Sequence, residues 1–171
     1  AGGEMAAEYL VSKGHQHLGF IGDTTELGEY AILPISMRLQ GFQNALAKKG
    51  LKLEENNICH SQYNVRDAER KIEPILRQPN PPTAIFAATD LQAVGVINKA
   101  RELGIRVPED LAVLGFDDLD IADYVGLSTI NQSLDESGRI AVEILLARLK
   151  DPERSLRHVR LPLKLVERET T

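Results

Sequence analysis

Polar side chains follow three short apolar segments of this chain. Asp23 follows the segment LGFIG, Thr89 and Asp90 follow AIFAA, and Asp117 follows LAVLGF. A carboxylate in such a position can bind a metal ion, act as a general acid or base, or accept hydrogen bonds from the hydroxyls of a ligand. The residues around these carboxylates favour one of the three kinds of chemistry over the others.

Metal binding fits the acidic run at 117–123 poorly. A calcium-binding loop needs oxygen ligands at alternate positions, a central Gly and a closing Glu, and the run DDLDIADYVG lacks that register. His15 and His17 offer only one closely spaced pair, and the adjacent Cys59 and His60 point to opposite faces of a strand. We therefore expect no metal site and no cofactor.

Catalytic motifs are missing from the sequence. It contains no G-x-S-x-G segment, no P-loop and no G-x-G-x-x-G after a strand. Paired carboxylates would allow a glycosidase, but nothing places an acid and a nucleophile on opposite sides of a substrate. We expect no enzyme, and the alternative is a hydrolase or sugar enzyme that uses the acidic run.

Apolar segments alternate with amphipathic helical segments along the chain. The spacing of apolar residues and the glycines after them predict helices at 4–13, 36–49, 65–77, 90–103 and 134–149. Strands are predicted at 18–22, 56–63, 83–88, 111–116, 127–132 and 158–168. Ser133 and Glu136 match a capping box for the last helix, and Pro162 places the last strand at a sheet edge. Because strands that are apolar throughout need cover on both faces, the pattern predicts an α/β fold with a doubly wound parallel sheet.

The carboxyl ends of parallel strands meet at the edge of the sheet where ligands bind. Asp117 directly follows an apolar strand, and its two oxygens suit the vicinal hydroxyls of a sugar or nucleoside. Arg38 would supply a complementary fork of donors, and Tyr63 would cover the apolar face of a ring. Asp23 and Asp90 are further candidates. Each has a structural alternative, which is a helix N-cap for Asp90, a turn for Asp23, and an exposed helix or loop position for Arg38 and Tyr63.

The composition is that of an ordinary globular domain. Of 171 residues, 43% are hydrophobic and 26% are charged, which suits one sizeable core. A net charge of −5 argues against nucleic-acid binding by this segment. The single cysteine, Cys59, excludes an internal disulfide and fits a reducing compartment. Because the first residues lack an initiator Met and a signal-peptide pattern, we expect a fragment of a longer chain.

Five motifs are spaced along the whole chain. They are KGHQHLGFIG, MRLQGFQNALAKKG, PTAIFAATDLQAVGVINKARELGIRVPEDLAVLGFDD, LSTINQ and LPLKLVERETT. In this order they resemble the lactose/galactose-repressor (LacI/GalR) family of bacterial transcription regulators. The resemblance implies a periplasmic-binding-protein-like effector region whose two α/β lobes enclose a small molecule. Residues 1–171 would be this effector-binding region, mainly its second lobe, with the DNA-binding headpiece absent.

The resemblance also implies which residues contact the effector. Arg38 matches the arginine of the family motif R-x-x-G-[FYW], and Asp117 is the first Asp of G-[FY]-D-[DN]. Thr89 and Gln132 occupy the places of polar ligand contacts, and Tyr63 that of a ring-stacking aromatic.

Two surfaces follow from the same resemblance. Family dimers use this lobe, and the dimer-interface candidates are Leu91, Val94, Ile121 and Tyr124, with core packing as the alternative for Val94. The helix at 134–149 belongs to the first lobe in the family. Here we expect it either to fold back on this lobe or to pack against another copy, because large apolar faces are rarely left in water. The segment 24–36 matches no family pattern.

The expected protein is thus the ligand-sensing domain of a LacI-type repressor. It would be cytoplasmic and homodimeric, bind a sugar, sugar phosphate or nucleoside-like effector between its lobes, and couple that binding allosterically to operator DNA through the headpiece. No membrane partner is expected. The alternative is a periplasmic sugar-binding protein of the same fold.

Overall fold

The main sheet has four parallel strands. A computed structural model describes residues 1–23 and 34–171. The strands are β1 (Leu18–Gly22), β2 (Ile58–His60), β3 (Ala84–Ala87) and β4 (Ala112–Leu114). Their order in the sheet is β2–β1–β3–β4. Every residue of β1, β3 and β4 is buried, because helices cover both faces of the sheet.

Two pairs of helices provide that cover. Helices α1 (Gly2–Ser12) and α2 (Pro34–Lys48) pack together against one face, and α3 (Val65–Leu76) and α4 (Asp90–Glu102) against the other. A 3-10 turn (Glu55–Asn57) precedes β2, and a short helix α5 (Asp120–Tyr124) follows β4. This arrangement confirms the predicted doubly wound α/β fold. Of the unaligned segment 24–36, residues 24–33 lie outside the described part of the chain.

A cluster of four phenylalanines fills the core between the sheet and α2. The ring centroid of Phe86 lies 5.7 Å from that of Phe20, 5.3 Å from Phe42 and 6.5 Å from Phe116. Phe20 and Phe86 are register partners on β1 and β3, so their side chains lie on the same face of the sheet. Phe116 connects this core to Asp117, the next residue in the chain.

The helices of each pair approach closely at a glycine. A Cβ on Gly3 of α1 would lie 1.9 Å from the Arg38 carbonyl oxygen of α2. A Cβ on Gly95 of α4 would lie 2.6 Å from the Val65 carbonyl oxygen and 2.6 Å from the Ala68 Cβ, both at α3. Gly3 therefore lets α2, which carries Arg38, pack directly on α1.

The C-terminal part forms a second, smaller sheet. Strands β5 (Thr129–Asn131) and β6 (Lys164–Val166) pair antiparallel. Isolated parallel bridges from Leu114 to Ser128 and from Asp117 to Asn131 also place β5 beside the end of β4. The strand predicted at 158–168 is therefore too long, since only Lys164–Val166 pair, and its predicted place at a sheet edge is confirmed. Residues 151–160 are exposed and irregular, so no neighbouring strand pairs with them.

Helix α6 (Leu134–Lys150) begins without the predicted capping box. The N-cap residue Ser133 has a left-handed backbone with φ 56°, and its hydroxyl donates to Asn131 instead of accepting from the helix. Glu136 pairs with Arg139 on the helix surface. The capping box prediction is wrong, because Asn131 and Arg139 engage the two side chains that would form it.

Helix α6 buries none of its residues. Its apolar residues Val142, Leu145, Leu146 and Leu149 are 55%, 58%, 53% and 70% exposed. The expectation that this helix buries its apolar face against the lobe is therefore wrong. Packing against another copy stays a prediction.

The C-terminal residues return to the lobe after α6. The Thr170 hydroxyl donates to the Val113 carbonyl and accepts from the Ser128 amide, and the Tyr9 and Thr171 hydroxyls lie 2.7 Å apart. The chain therefore leaves the lobe at α6 and rejoins it at β6. Within residues 1–23 and 34–171, no helix is both long enough and apolar enough to cross a membrane.

Candidate functional site

Asp117 lies at the carboxyl end of β4, in a turn held by the neighbouring strand. Its amide donates to the Ile130 carbonyl at 3.0 Å, and its backbone has a φ of 115°. The residue is only 6% exposed. The adjacent Asp118 also has a positive φ, and its carboxylate accepts from Asn131 and Arg168. The two neighbouring acids are therefore separated, with Asp118 engaged by β5 and the C-terminal segment.

Three side chains converge on the Asp117 carboxylate. The Gln132 amide donates to Oδ1, the Tyr63 hydroxyl donates to Oδ2 at 3.4 Å, and Arg38 Nη2 lies 3.7 Å from Oδ1. Burial raises the pKa of Asp117 above its ordinary value, and the Arg38 charge and the two hydrogen bonds oppose this rise. Three of the five residues that the resemblance assigned to the effector thus gather around Asp117.

Arg38 is held over an aromatic ring. Its guanidinium carbon lies 3.6 Å from the centroid of the Phe116 ring, and Nη1 donates to the Ala88 carbonyl at 2.6 Å. Its side chain is 13% exposed, and burial lowers its pKa from the ordinary value, an effect that Asp117 opposes. The structural alternative of a solvent-exposed helix residue is wrong for Arg38, since α2 directs it into the end of the sheet.

Tyr63 follows β2 and borders the same edge of the sheet. It is 49% exposed, and burial of part of the ring together with the Asp117 charge raises its phenol pKa. With its hydroxyl on Asp117 and half of its surface open, the ring is available to a ligand beside that carboxylate.

Thr89 takes the helix-capping role that the sequence suggested for Asp90, and a ligand contact by Asp90 stays a prediction. Thr89 is the N-cap of α4, where its hydroxyl accepts from the Gln92 amide and donates to the Gln92 side chain. Asp90 is the first residue inside α4 and is fully buried. The prediction that Asp90 caps the helix is wrong, because Thr89 occupies the cap and turns the Asp90 carboxylate inward. A ligand contact by Thr89 stays a prediction, with its hydroxyl already engaged by Gln92.

Asp23 follows β1 and is half-buried. The residues that follow it begin the segment 24–33 outside the described part of the chain, so its role as a ligand contact stays a prediction.

Phe116 and Thr129 also shape the site, and the sequence reasoning did not single them out. The Phe116 ring stacks against the Arg38 guanidinium, and the Thr129 hydroxyl donates a hydrogen bond to Asp90 at 2.6 Å. The sequence did indicate a structural role for Phe116, because it is an aromatic residue at the end of an apolar strand, directly before Asp117. For Thr129 no local pattern indicated a partner 39 residues away.

This arrangement suits recognition of a polar ligand. A buried carboxylate beside a guanidinium offers acceptors and donors together, which fits vicinal hydroxyls. Two amide or hydroxyl donors already orient the carboxylate, so its geometry is set before a ligand arrives.

Residues 7–171 match the periplasmic binding protein-like domain family. The chain belongs to this family. The ribose operon repressor of Haemophilus influenzae is 35% identical over 171 residues, which cover 99% of this chain and 50% of that repressor. The HTH-type transcriptional repressor PurR of Vibrio cholerae is 32% identical, over 99% of this chain and 49% of PurR.

A comparison with solved structures also finds LacI-family regulators. A LacI family transcriptional regulator from Enterococcus faecium, with bound ribose, superposes with a TM-score of 0.87 at 27% identity, over 99% of this chain and 62% of the other. The LacI-family resemblance and the fold class are confirmed, and the relatives favour a repressor over a periplasmic sugar-binding protein. The chain spans about half the length of the curated relatives it matches.

Proposed function

We propose that this chain senses a small sugar-like effector for a LacI-family transcription repressor. The observation that carries the proposal is the buried Asp117 carboxylate beside Arg38 at the open ends of the strands. These groups match the hydroxyl pattern of a sugar, and Tyr63 adds an apolar surface for its ring. The ribose bound to the Enterococcus faecium regulator supports a pentose as the first ligand to test.

The remainder of the repressor would complete the sensor. A second lobe would close over Asp117 and Arg38 from the opposite side, and a headpiece would contact operator DNA. Effector binding would favour one arrangement of the lobes over another and so change operator affinity. Such a repressor works in the cytoplasm, and it binds the effector without turning it over.

The proposed repressor is a homodimer that uses the face formed by α4 and α5. Tyr124 of α5 is 85% exposed, and Leu91 and Val94 of α4 and Ile121 of α5 are half-buried. An exposed aromatic with apolar neighbours is typical of the centre of a protein interface. Sedimentation of the full-length protein should show a dimer that Tyr124→Asp weakens at least tenfold, whereas an unchanged dimer would place the interface elsewhere.

Calorimetric titration of the full-length protein with D-ribose tests the site. Asp117→Ala and Arg38→Ala each remove a charge-assisted hydrogen-bonding group worth about 1.5–3 kcal/mol, so each should weaken binding roughly 10- to 100-fold. Asp120→Ala removes a carboxylate from the same acidic run on the exposed side of α5, and it should bind like the wild type. Normal binding by both site variants would show that the effector binds elsewhere, and sugar phosphates and nucleosides form the next arms of the titration if ribose fails.

A further inference from the structure

A buried carboxylate beside the site has no role in the proposed ligand contacts. Asp90 is 0% exposed, and a carboxylate taken out of water is costly unless hydrogen bonds compensate it. Its Oδ1 accepts from the Thr129 hydroxyl at 2.6 Å, and its Oδ2 accepts from the Leu119 amide at 2.7 Å. Both partners come from segments that adjoin Asp117 in space.

Asp90 forms hydrogen bonds on both sides of the turn that contains Asp117. The Asp90 amide donates to the Phe116 carbonyl at 2.8 Å, and its carboxylate accepts from Leu119. One residue of α4 is thus bonded to the position before Asp117 and to the position after Asp118. These two aspartates have φ values of 115° and 58°, a region that residues other than glycine adopt only when the surroundings enforce it.

Gly115 provides the space that this arrangement needs. A Cβ at position 115 would lie 2.4 Å from Asp90 Oδ1 and 3.3 Å from the Thr129 hydroxyl oxygen. Any side chain there would push the carboxylate away from the turn. The strand that presents Asp117 is therefore shaped to admit the Asp90 carboxylate beside it.

We propose that Asp90 is a positioning residue for effector binding. It holds the turn at Asp117 and Asp118 so that the Asp117 carboxylate faces Arg38, and it does not touch the effector itself. This inference rests on the proposed function, in which Asp117 binds the effector.

The charge of Asp90 and its hydrogen bonds have separable effects. Burial raises its pKa to about 6, the Asp117 and Asp118 charges add to the rise, and the bonds from Thr129 and Leu119 oppose it. The charged or titratable groups that sense it from the other elements are these two aspartates, Arg38 and Tyr63. A protonated Asp90, or an Asn, can still accept from Leu119 while it donates to the Thr129 oxygen, because a hydroxyl both donates and accepts.

Two substitutions separate positioning from charge. Asp90→Asn and Asp90→Ala remove the same charge, but only Ala removes both hydrogen-bonding groups. Amide hydrogen exchange in the ligand-free, full-length protein should show the Leu119 amide exchanging at least about tenfold faster in Asp90→Ala, and within about threefold of wild type in Asp90→Asn. In titrations with D-ribose, the Ala variant should bind roughly 10- to 100-fold more weakly and the Asn variant only a few-fold more weakly.

A matched control keeps general destabilisation apart from positioning. Thr170→Val removes a buried hydroxyl that makes two hydrogen bonds at the C-terminal segment, so it should lower the melting temperature without changing Leu119 exchange or ribose affinity. If Asp90→Ala does not fold, Thr129→Val and Thr129→Ser take the place of the two Asp90 variants. Val removes the hydroxyl that donates to Asp90 and should weaken ribose binding, whereas Ser keeps that hydroxyl and should retain binding.

Two results would overturn the inference. Leu119 exchange that is unchanged in Asp90→Ala would show that Asp90 does not hold the turn. Equal losses of affinity in the Asn and Ala variants would assign the effect to charge instead of positioning. If the wild type does not bind ribose, the proposed choice of sugar is wrong, while Leu119 exchange still decides whether Asp90 fixes the turn.

Discussion

The lobe built on the main sheet and helix α6 both carry apolar faces, but only the lobe covers its own. Phe20, Phe42 and Phe86 are fully buried between the sheet and α2, whereas Leu145 and Leu149 of α6 are 58% and 70% exposed. The same amphipathic pattern therefore has two outcomes. It is satisfied where a neighbouring element covers the apolar face, and on α6 that face is left exposed.

This difference also separates the two roles of the chain. The lobe positions Asp117 and Arg38 from its own packing, since Phe116 and Gly3 belong to the core and to the contact between α1 and α2. Helix α6 contributes no buried residue to that core. The side chains that contact Asp117 thus lie between Arg38 and Gln132 in the sequence, and α6 takes no part in the core that positions them.

The strongest test of this comparison removes one large apolar side chain from each region. Phe86→Ala leaves a cavity among three other phenylalanines and should lower the free energy of unfolding by about 3–5 kcal/mol. Leu145→Ala in α6 should lower it by less than about 0.5 kcal/mol, because the side chain is already in water. Urea unfolding followed by circular dichroism measures both, and a loss above about 2 kcal/mol for Leu145→Ala would show that a second copy or another segment covers α6.

A pair of glycine substitutions sharpens the comparison. Gly95→Ala would force a methyl against the α3 backbone and should destabilise the protein by about 1–3 kcal/mol. Gly138 lies inside α6 with no atom near its Cβ position, so Gly138→Ala should stabilise that helix by about 0.5–1 kcal/mol. Thermal unfolding of the two variants should therefore shift in opposite directions, and a shift downward for both would mean that α6 is packed as tightly as α4.

The smallest expected effect concerns pH. Because the folded-state pKa of Asp90 is about 6, above the ordinary 3.8, the folded protein binds this proton more tightly than the unfolded chain. The contribution of Asp90 to stability should therefore increase by about 1 kcal/mol as the pH falls from 7 to 5, and be lost again as the pH rises through 6. Glu136 of α6, whose pKa Arg139 lowers below 4.5, contributes no such change in this interval.

Comparison of wild type with Asp90→Asn isolates this effect. Burial lowers the pKa of His15, so His15 makes the protein less stable as the pH falls and opposes the effect of Asp90. Both proteins contain His15, so its contribution cancels when the unfolding free energy of Asp90→Asn is subtracted from that of the wild type at pH 5 and at pH 7. Identical pH dependence in the two proteins would show that Asp90 keeps an ordinary pKa.

The sequence predicted the fold and much of the site for a simple physical reason. Strands buried on both faces must be apolar throughout, and the carboxyl ends of parallel strands must meet, so Asp117 and the strand-end polar residues were predictable from order alone. The arginine of α2 joined them through the family resemblance and the complementarity of a guanidinium to a carboxylate. The relatives confirm the family, and contacts with an effector stay a prediction.

The errors in the helix caps arose where other groups, local or distant, engage the side chain that the capping pattern singled out. Ser133 looked like a helix cap, but Asn131 engages its hydroxyl. Asp90 looked like a cap as well, but Thr89 takes that position and Asp90 bonds to Thr129 and Leu119. The partners of Ser133 and Glu136 are local, two and three residues away along the chain, whereas those of Asp90 come from distant segments. A capping pattern does not show which of several nearby groups a side chain will bond.

The sequence by itself determined the parallel α/β architecture, the edge at which polar groups gather, and the amphipathic face of α6. These properties depend on the spacing of apolar residues and on the order of strands and helices along the chain, and both can be read from the sequence. Only the tertiary structure decided that Arg38 stacks on Phe116, that Asp90 forms hydrogen bonds on both sides of the Asp117 turn, and that the apolar residues of α6 are exposed. Each of these depends on which atoms from distant segments meet, because hydrogen bonds and packing act over a few ångströms in space and not along the sequence.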